Sequence, residues 1–228
     1  MTRFITLRRT LLATALVAAT SLAHAQAVKL TLGHGAAPGN PRHEAAVKMA
    51  EVAKAKSGGR IEIQIAPSAQ LGDDAAMVTA MRTGALDISA NSQGAVANAV
   101  PEYAAFGMPF LFSNLEQVWK MLDGPLGKEL ADKSAEKGLV VLGYWDNGIR
   151  HMTNSKRPIT KVEDMKGLKM RTPPDAVLVD IMQALGAEAQ QIKFAELYVA
   201  LQQGVVDGQE NPLMNIHASK LYEVNKFI

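Results

Sequence analysis

Apolar and polar positions alternate with the two-residue period of half-buried strands in three early stretches. These are Val28–Leu32, Arg60–Ile65 and Leu86–Ala90. Two helices are predicted between them. Residues 42–57 place Ala46, Val47, Ala50 and Ala53 along one side and end at Gly58-Gly59. The second starts at Asp73 and Asp74, whose charges suit a helix N-terminus, and stops at Gly84. A β-α-β-α-β run implies parallel strands joined by right-handed crossovers. Further on, 114–123 and 125–137 read as helices and Leu139–Trp145 as a buried strand. Arg150–Thr153 either continues that sheet or crosses into a second unit, and Ile159–Lys166 is a turn or short helix. The aromatic stretch Pro101–Phe112, with Tyr103, Phe106, Phe110 and Phe112, reads as core packing under a loop rather than a stacking site.

The stretch Gly167–Pro174 organises the second half. Leu168 and Met170 alternate with Lys169 and Arg171, Thr172 is a good N-cap, and Pro173-Pro174 suit the first turn of a helix. Val177, Leu178, Ile181, Met182 and Leu185 then recur at helical spacing up to Gly186. Arg171 is thereby placed at the carboxyl end of a strand, the edge where open α/β sheets bind ligands. A guanidinium fork there fits a carboxylate through two hydrogen bonds. An arginine paired with a neighbouring acid is equally compatible with these residues. A faint repeat supports two similar units: Ala80–Asp87 and Ala200–Asp207 each read as a helix end, a glycine, two apolar residues and an aspartate.

Composition narrows the setting. Arg3, Arg8 and Arg9, the apolar run Leu11–Leu22 and Ala23-His24-Ala25 form a cleavable export signal over 1–25, with Gln26 as the first mature residue. Later stretches are too polar to join it as a membrane anchor. Without that leader the 24 bases become 21 against 22 acids, so no basic surface argues for nucleic acid. An exported chain with no cysteine has neither disulfides nor thiol chemistry.

Enzyme motifs are near misses. His43-Glu44 begins like a zinc helix, but Val47 stands where the second histidine is needed. Gly33, Gly35 and Gly39 have the wrong spacing for a dinucleotide loop, and Pro38 and Pro41 obstruct its helix. Binding residues are better supplied. Arg150 and Arg171 end consecutive strand-like segments, and Asn211 ends another with both donor and acceptor. Phe194 starts a helix, where its ring walls a pocket or packs in the core.

Several segments resemble one family: Pro67–Gly72, Pro109–Phe112, Glu163–Arg171, Phe194–Leu201 and Val206–Pro212. It is that of the solute-binding proteins of tripartite ATP-independent periplasmic (TRAP) transporters, of the C4-dicarboxylate-binding type. The resemblance covers nearly all of the mature chain. It implies two α/β lobes, 26–148 and 149–228, each a mostly parallel sheet flanked by helices, with a ligand cleft between them. It implies a monomeric binding protein in the periplasm, without cofactor or catalysis. That protein would pass a small carboxylate to a small four-helix and a large multi-helix membrane subunit. In the resemblance Arg171 clamps the carboxylate, Arg150 assists, and Asn211 and Phe194 line the cleft, with first-lobe contributions around His34, Ser92 and Gln93. Family members continue beyond the position of Ile228, returning to the first lobe and adding a long helix across both. A secreted α/β enzyme on an organic acid and a chemosensory receptor are the competing readings. The acids Asp146, Asp175 and Glu210 bear on substrate. Any one facing the cleft favours a polyhydroxy monocarboxylate such as a uronate, whereas all three in solvent favour a C4-dicarboxylate.

Overall fold

A computed structural model describes residues 26–228, so the export signal over 1–25 lies outside the described residues. The first unit follows the periodicity. Strand β1 (Val28–His34), helix α1 (Pro41–Lys56), strand β2 (Ile61–Ala66), helix α2 (Asp74–Arg82) and strand β3 (Ile88–Ala90) form a parallel sheet of order β2-β1-β3. Asn40 starts α1: its Oδ1 accepts the Arg42 N–H at 2.9 Å, and Pro41 follows at the first helical position, where it forfeits no hydrogen bond. Asp73 starts α2 by accepting the Ala76 N–H at 2.8 Å. Ala46 is buried and Val47, Ala50 and Ala53 are half-buried, the face predicted for α1. Helix α3 (Gln93–Ala97), a 3-10 helix at Pro101–Gly107, α4 (Leu115–Leu122) and α5 (Pro125–Glu136) complete this unit. Their apolar faces close over a core of Val78, Val100, Tyr103, Leu130 and Leu139.

The second unit repeats the first. Strand β4 (Arg150–Asn154) leads to β5 (Lys169–Thr172), α6 (Ala176–Ala184), β6 (Glu188–Gln191), α7 (Leu197–Gln202), β7 (Gly208–Pro212) and α8 (Leu213–Ala218). The sheet order is β4-β7-β5-β6, with β5 parallel to β6 and β7, and β4 antiparallel at the edge. Arg150–Thr153 therefore crosses into the second unit. The order β6-β5-β7 matches β2-β1-β3, and the repeated aspartates do the same work. Asp87 accepts the Thr31 N–H of β1 at 2.8 Å, and Asp207 accepts the Lys169 N–H of β5 at 3.0 Å. The chain is thus a two-lobed α/β fold of mostly parallel sheets. Among the described residues, no helix is long and apolar enough to cross a membrane.

Three expectations are corrected. Leu139–Trp145 forms no strand: only Leu139 is buried, while Val140 is 81% and Leu142 65% exposed. A strand needs a neighbour to take its backbone groups, and among the described residues none lies alongside. An apolar trough of about 910 Å³ opens between this segment, β3 and α4. The aromatic stretch is only partly core. Tyr103 is buried and Phe106 stacks on Phe112, but Phe110 is fully exposed at positive φ. Finally, Thr172 stays in β5, and Asp175, not Thr172, starts α6. Its Oδ1 accepts the Val177 and Leu178 N–H groups at 3.0 and 3.4 Å. Two successive prolines hold Thr172 extended and push the helix start three residues on.

Candidate functional site

Arg171 lies one residue before the carboxyl end of β5 and is 1% exposed. Its Nε donates to the Ile192 carbonyl at 2.7 Å, and its guanidinium carbon lies 5.9 Å from the centre of the Phe194 ring. The half-buried Phe194 also packs against the core around Leu197 and Leu201, the core role that the sequence left open. Among the described residues, neither terminal nitrogen of Arg171 has a hydrogen-bond partner, and no acid forms an ion pair with it. Burial lowers its pKa to about 10, with Arg150 pushing the same way and Glu210 opposing. It therefore stays charged at neutral pH. A buried cation with two open donors is costly unless an anion meets it.

The acid that could have neutralised Arg171 is taken by Arg150. Arg150 Nη2 donates to Glu210 Oε1 at 2.8 Å and to the Glu210 carbonyl at 3.0 Å, and its Nε bonds Oε2 of the same carboxylate. Glu210 is 3% exposed. The sequence shows both residues but not their pairing, since they lie 60 residues apart on antiparallel neighbours. Asn211 follows on β7, buried, with its amide held by Gln209 and Asn215. The three acids part company. Asp146 is exposed and accepts the Gly148 N–H at 2.7 Å, whereas Asp175 and Glu210 are buried.

The first lobe meets this edge directly. Gln93 Nε2 donates to Asp175 Oδ2 at 3.2 Å, and a Cβ at Gly94 would collide with the same carboxylate. Lys193 pairs with Asp73 at 3.1 Å, and Asn40 Nδ2 donates to Asn215 Oδ1 at 2.9 Å. Half-buried Ser92 sits beside Gln93 and gives its N–H to Asp74 Oδ2 at 2.9 Å. His34 ends β1, fully buried. Its Nδ1 accepts the Ala36 N–H at 3.2 Å, which leaves the ring proton on Nε2, 3.3 Å from His43 Nδ1. Burial, then His43 and Arg42, lower the His34 pKa to about 4, against the pull of Asp74. The eight residues read from the sequence thus fall into two groups. Arg171, Phe194, Asp175, Asn211 and Arg150, the last paired with Glu210, belong to the second lobe. From the first lobe, Gln93 at the start of α3 meets them through Asp175, while His34 ends β1 and Ser92 precedes α3. The sequence missed Asn40 and Asn215, amides in ordinary helix-start contexts. Among the described residues, no group of three or more metal-ligating side chains exists.

Two mostly parallel lobes meeting at strand ends around an open guanidinium define the two-lobed binding-protein class. The chain belongs to the bacterial extracellular solute-binding protein family 7, whose model matches residues 32–228. It is 60% identical over 199 residues to the uncharacterized protein y4mM of Sinorhizobium fredii, covering 87% of this chain and 37% of that protein. It is 37% identical over 216 residues to the C4-dicarboxylate-binding periplasmic protein DctP of Rhodobacter capsulatus, covering 94% of this chain and 65% of that one. The crystal structure of the sugar acid binding protein DctPAm from Advenella mimigardefordensis, in complex with galactonate, superposes with a TM-score of 0.86. It is 38% identical, with 89% of this chain and 65% of that chain covered. The chain thus spans less than two thirds of the length of these relatives.

Proposed function

We propose that this chain is the periplasmic solute receptor of a TRAP transporter, exported by its N-terminal signal. It captures a small organic carboxylate between a lobe of 26–148 and a lobe of 149–228. It then delivers the carboxylate to the small and large membrane subunits of the permease. It acts as a monomer, by binding and release without covalent chemistry. The observation that carries this reading is the buried, charged Arg171 with both terminal nitrogens open at a strand end. A carboxylate answers both nitrogens at once. Asn211 and Phe194 line the same edge, while His34, Ser92 and Gln93 approach from the other lobe. Closure is supported by the contacts that already cross the lobes, Lys193–Asp73 and Gln93–Asp175.

The substrate reading favours a sugar acid over a C4-dicarboxylate. A dianion needs a second cationic end. Arg150 could have supplied it, but Glu210 holds that guanidinium. The buried Asp175 carboxylate repels a second anionic group and accepts hydrogen bonds from hydroxyls. A thermal-shift screen of galactonate, galacturonate and glucuronate against succinate, malate and fumarate tests this. The largest rise is expected with a sugar acid. Shifts confined to the dicarboxylates would overturn the substrate reading. Turnover of any screened acid would overturn the binding-protein reading.

A further inference from the structure

Six buried side chains form one directional hydrogen-bond chain running from the first lobe into the second. It begins at a backbone donor, the Arg42 N–H, given to Asn40 Oδ1. That bond fixes which end of the Asn40 amide is oxygen, so Nδ2 must donate onward, to Asn215 Oδ1 at 2.9 Å. Asn215 Nδ2 then donates to Asn211 Oδ1 and to Asn147 Oδ1, each at 3.3 Å. Asn211 Nδ2 donates to Gln209 Oε1 at 2.5 Å, Gln209 Nε2 to Thr153 Oγ1 at 2.8 Å, and that hydroxyl to Asn225 Oδ1 at 2.7 Å. The run ends on backbone acceptors, the Val224 and Asp207 carbonyls, at 3.1 and 3.3 Å from Asn225 Nδ2. Asn40, Asn211, Asn215, Gln209, Thr153 and Asn225 are all less than a tenth exposed.

Each amide has distinct donor and acceptor ends, and both ends of the chain are pinned by groups that cannot reverse. No member can flip alone without setting oxygen against oxygen or nitrogen against nitrogen in a buried place. We propose that Asn40 and Asn215 are positioning residues that fix the orientation of Asn211, so that closing the first lobe onto the second completes the ligand-binding amide. This rests on Asn211 contacting the carboxylate solute. Asn215, four residues after Asn211 and on the following helix α8, is the relay. Asn40 is the first-lobe member, and its bond to Asn215 exists only when the lobes meet. One N–H of Asn211 Nδ2 is spent on Gln209, and the other is left to point at the solute.

Asn40→Asp tests this cleanly. Aspartate caps α1 as well as asparagine does and keeps the acceptor for the Arg42 N–H, but when ionised it has no donor for Asn215. Two readouts are taken on the full chain beside the wild type at pH 7.5: galactonate affinity by calorimetry, and the side-chain amide resonances of Asn211 without ligand. At pH 7.5 the variant is expected to keep the unliganded Tm, shift the Asn211 amide resonances, and lose roughly tenfold to a hundredfold in affinity. Asn40→Ser, which caps but is too short to reach Asn215, is expected to shift the same resonances and lose as much affinity. Unchanged Asn211 resonances in Asn40→Asp, or an affinity within about threefold of wild type in both variants, would overturn the proposal. A wild type that binds neither galactonate nor succinate, with the Asn211 resonances still responding to Asn40→Asp, would overturn the carboxylate reading and leave the positioning chain standing.

Discussion

Neutralising Glu210 should move selectivity towards dicarboxylates. The carboxylate is buried and holds the Arg150 guanidinium through Nε and Nη2. Glu210→Gln keeps an acceptor for one of those donors and removes the charge. Two effects add. Arg150, whose side chain is 32% exposed, becomes available to a second anion, and a negative charge near Arg171 disappears. At a separation of roughly 8 Å and an effective dielectric near 20, one unit charge is worth about 2 kcal/mol to each ligand charge. Solvent reaching Arg150 halves that to about 1 kcal/mol. A dianion collects the term twice and a monoanion once. The released guanidinium adds about 1 kcal/mol more for the dianion alone. Succinate should therefore gain on galactonate by about 2 kcal/mol, or roughly thirtyfold in the ratio of dissociation constants. Calorimetric titrations of both ligands into wild type and Glu210→Gln, at one pH and one ionic strength, measure it. A ratio unchanged within about threefold would refute the reasoning, because Arg150 would then be idle even when released.

Further predictions concern closure and pH. A Cβ at Gly94 meets the Asp175 carboxylate, so Gly94→Ala should prop the lobes apart. It should weaken galactonate binding tenfold or more while changing the unliganded Tm by only a few degrees; unaltered affinity with an unaltered scattering radius would count against the contact. His34, with its pKa lowered from 6.5 to about 4, binds fewer protons folded than unfolded between those values. Its contribution is complete above about pH 6.5 and is lost as pH falls towards 4, at most about 3 kcal/mol over the window. Denaturant titrations of wild type and His34→Asn should differ in slope against pH there, and parallel slopes would show that His34 does not titrate on unfolding.

Much of this fold was legible because its information is local. Alternation in Val28–Leu32 and Arg60–Ile65, with the glycines that end each helix, was enough to lay out the first sheet, and Leu168 and Met170 set Arg171 at a strand end. Leu139–Trp145 shows the limit. Its apolar run satisfies the strand pattern, but pairing depends on a neighbour that no local pattern reveals. Thr172 reads locally as the cap of α6, but the two prolines after it hold it extended, and Asp175 takes that place. The site was legible in its cation and not in its pairings. Arg150–Glu210 and Asn40–Asn215 join residues 60 and 175 positions apart. An asparagine before a helix reads first as a cap, which Asn40 also is.

The central claim is that the two open nitrogens of Arg171 clamp a carboxylate, and Arg171→Lys tests it most directly. Lysine keeps a charge but not the fork. Calorimetry with galactonate and succinate on wild type and variant should show a wild type that binds and a variant weaker by about two to four decades, the cost of roughly 3–5 kcal/mol for breaking a buried charge pair. An Arg171→Lys affinity within about threefold of wild type for the same ligand would contradict the account.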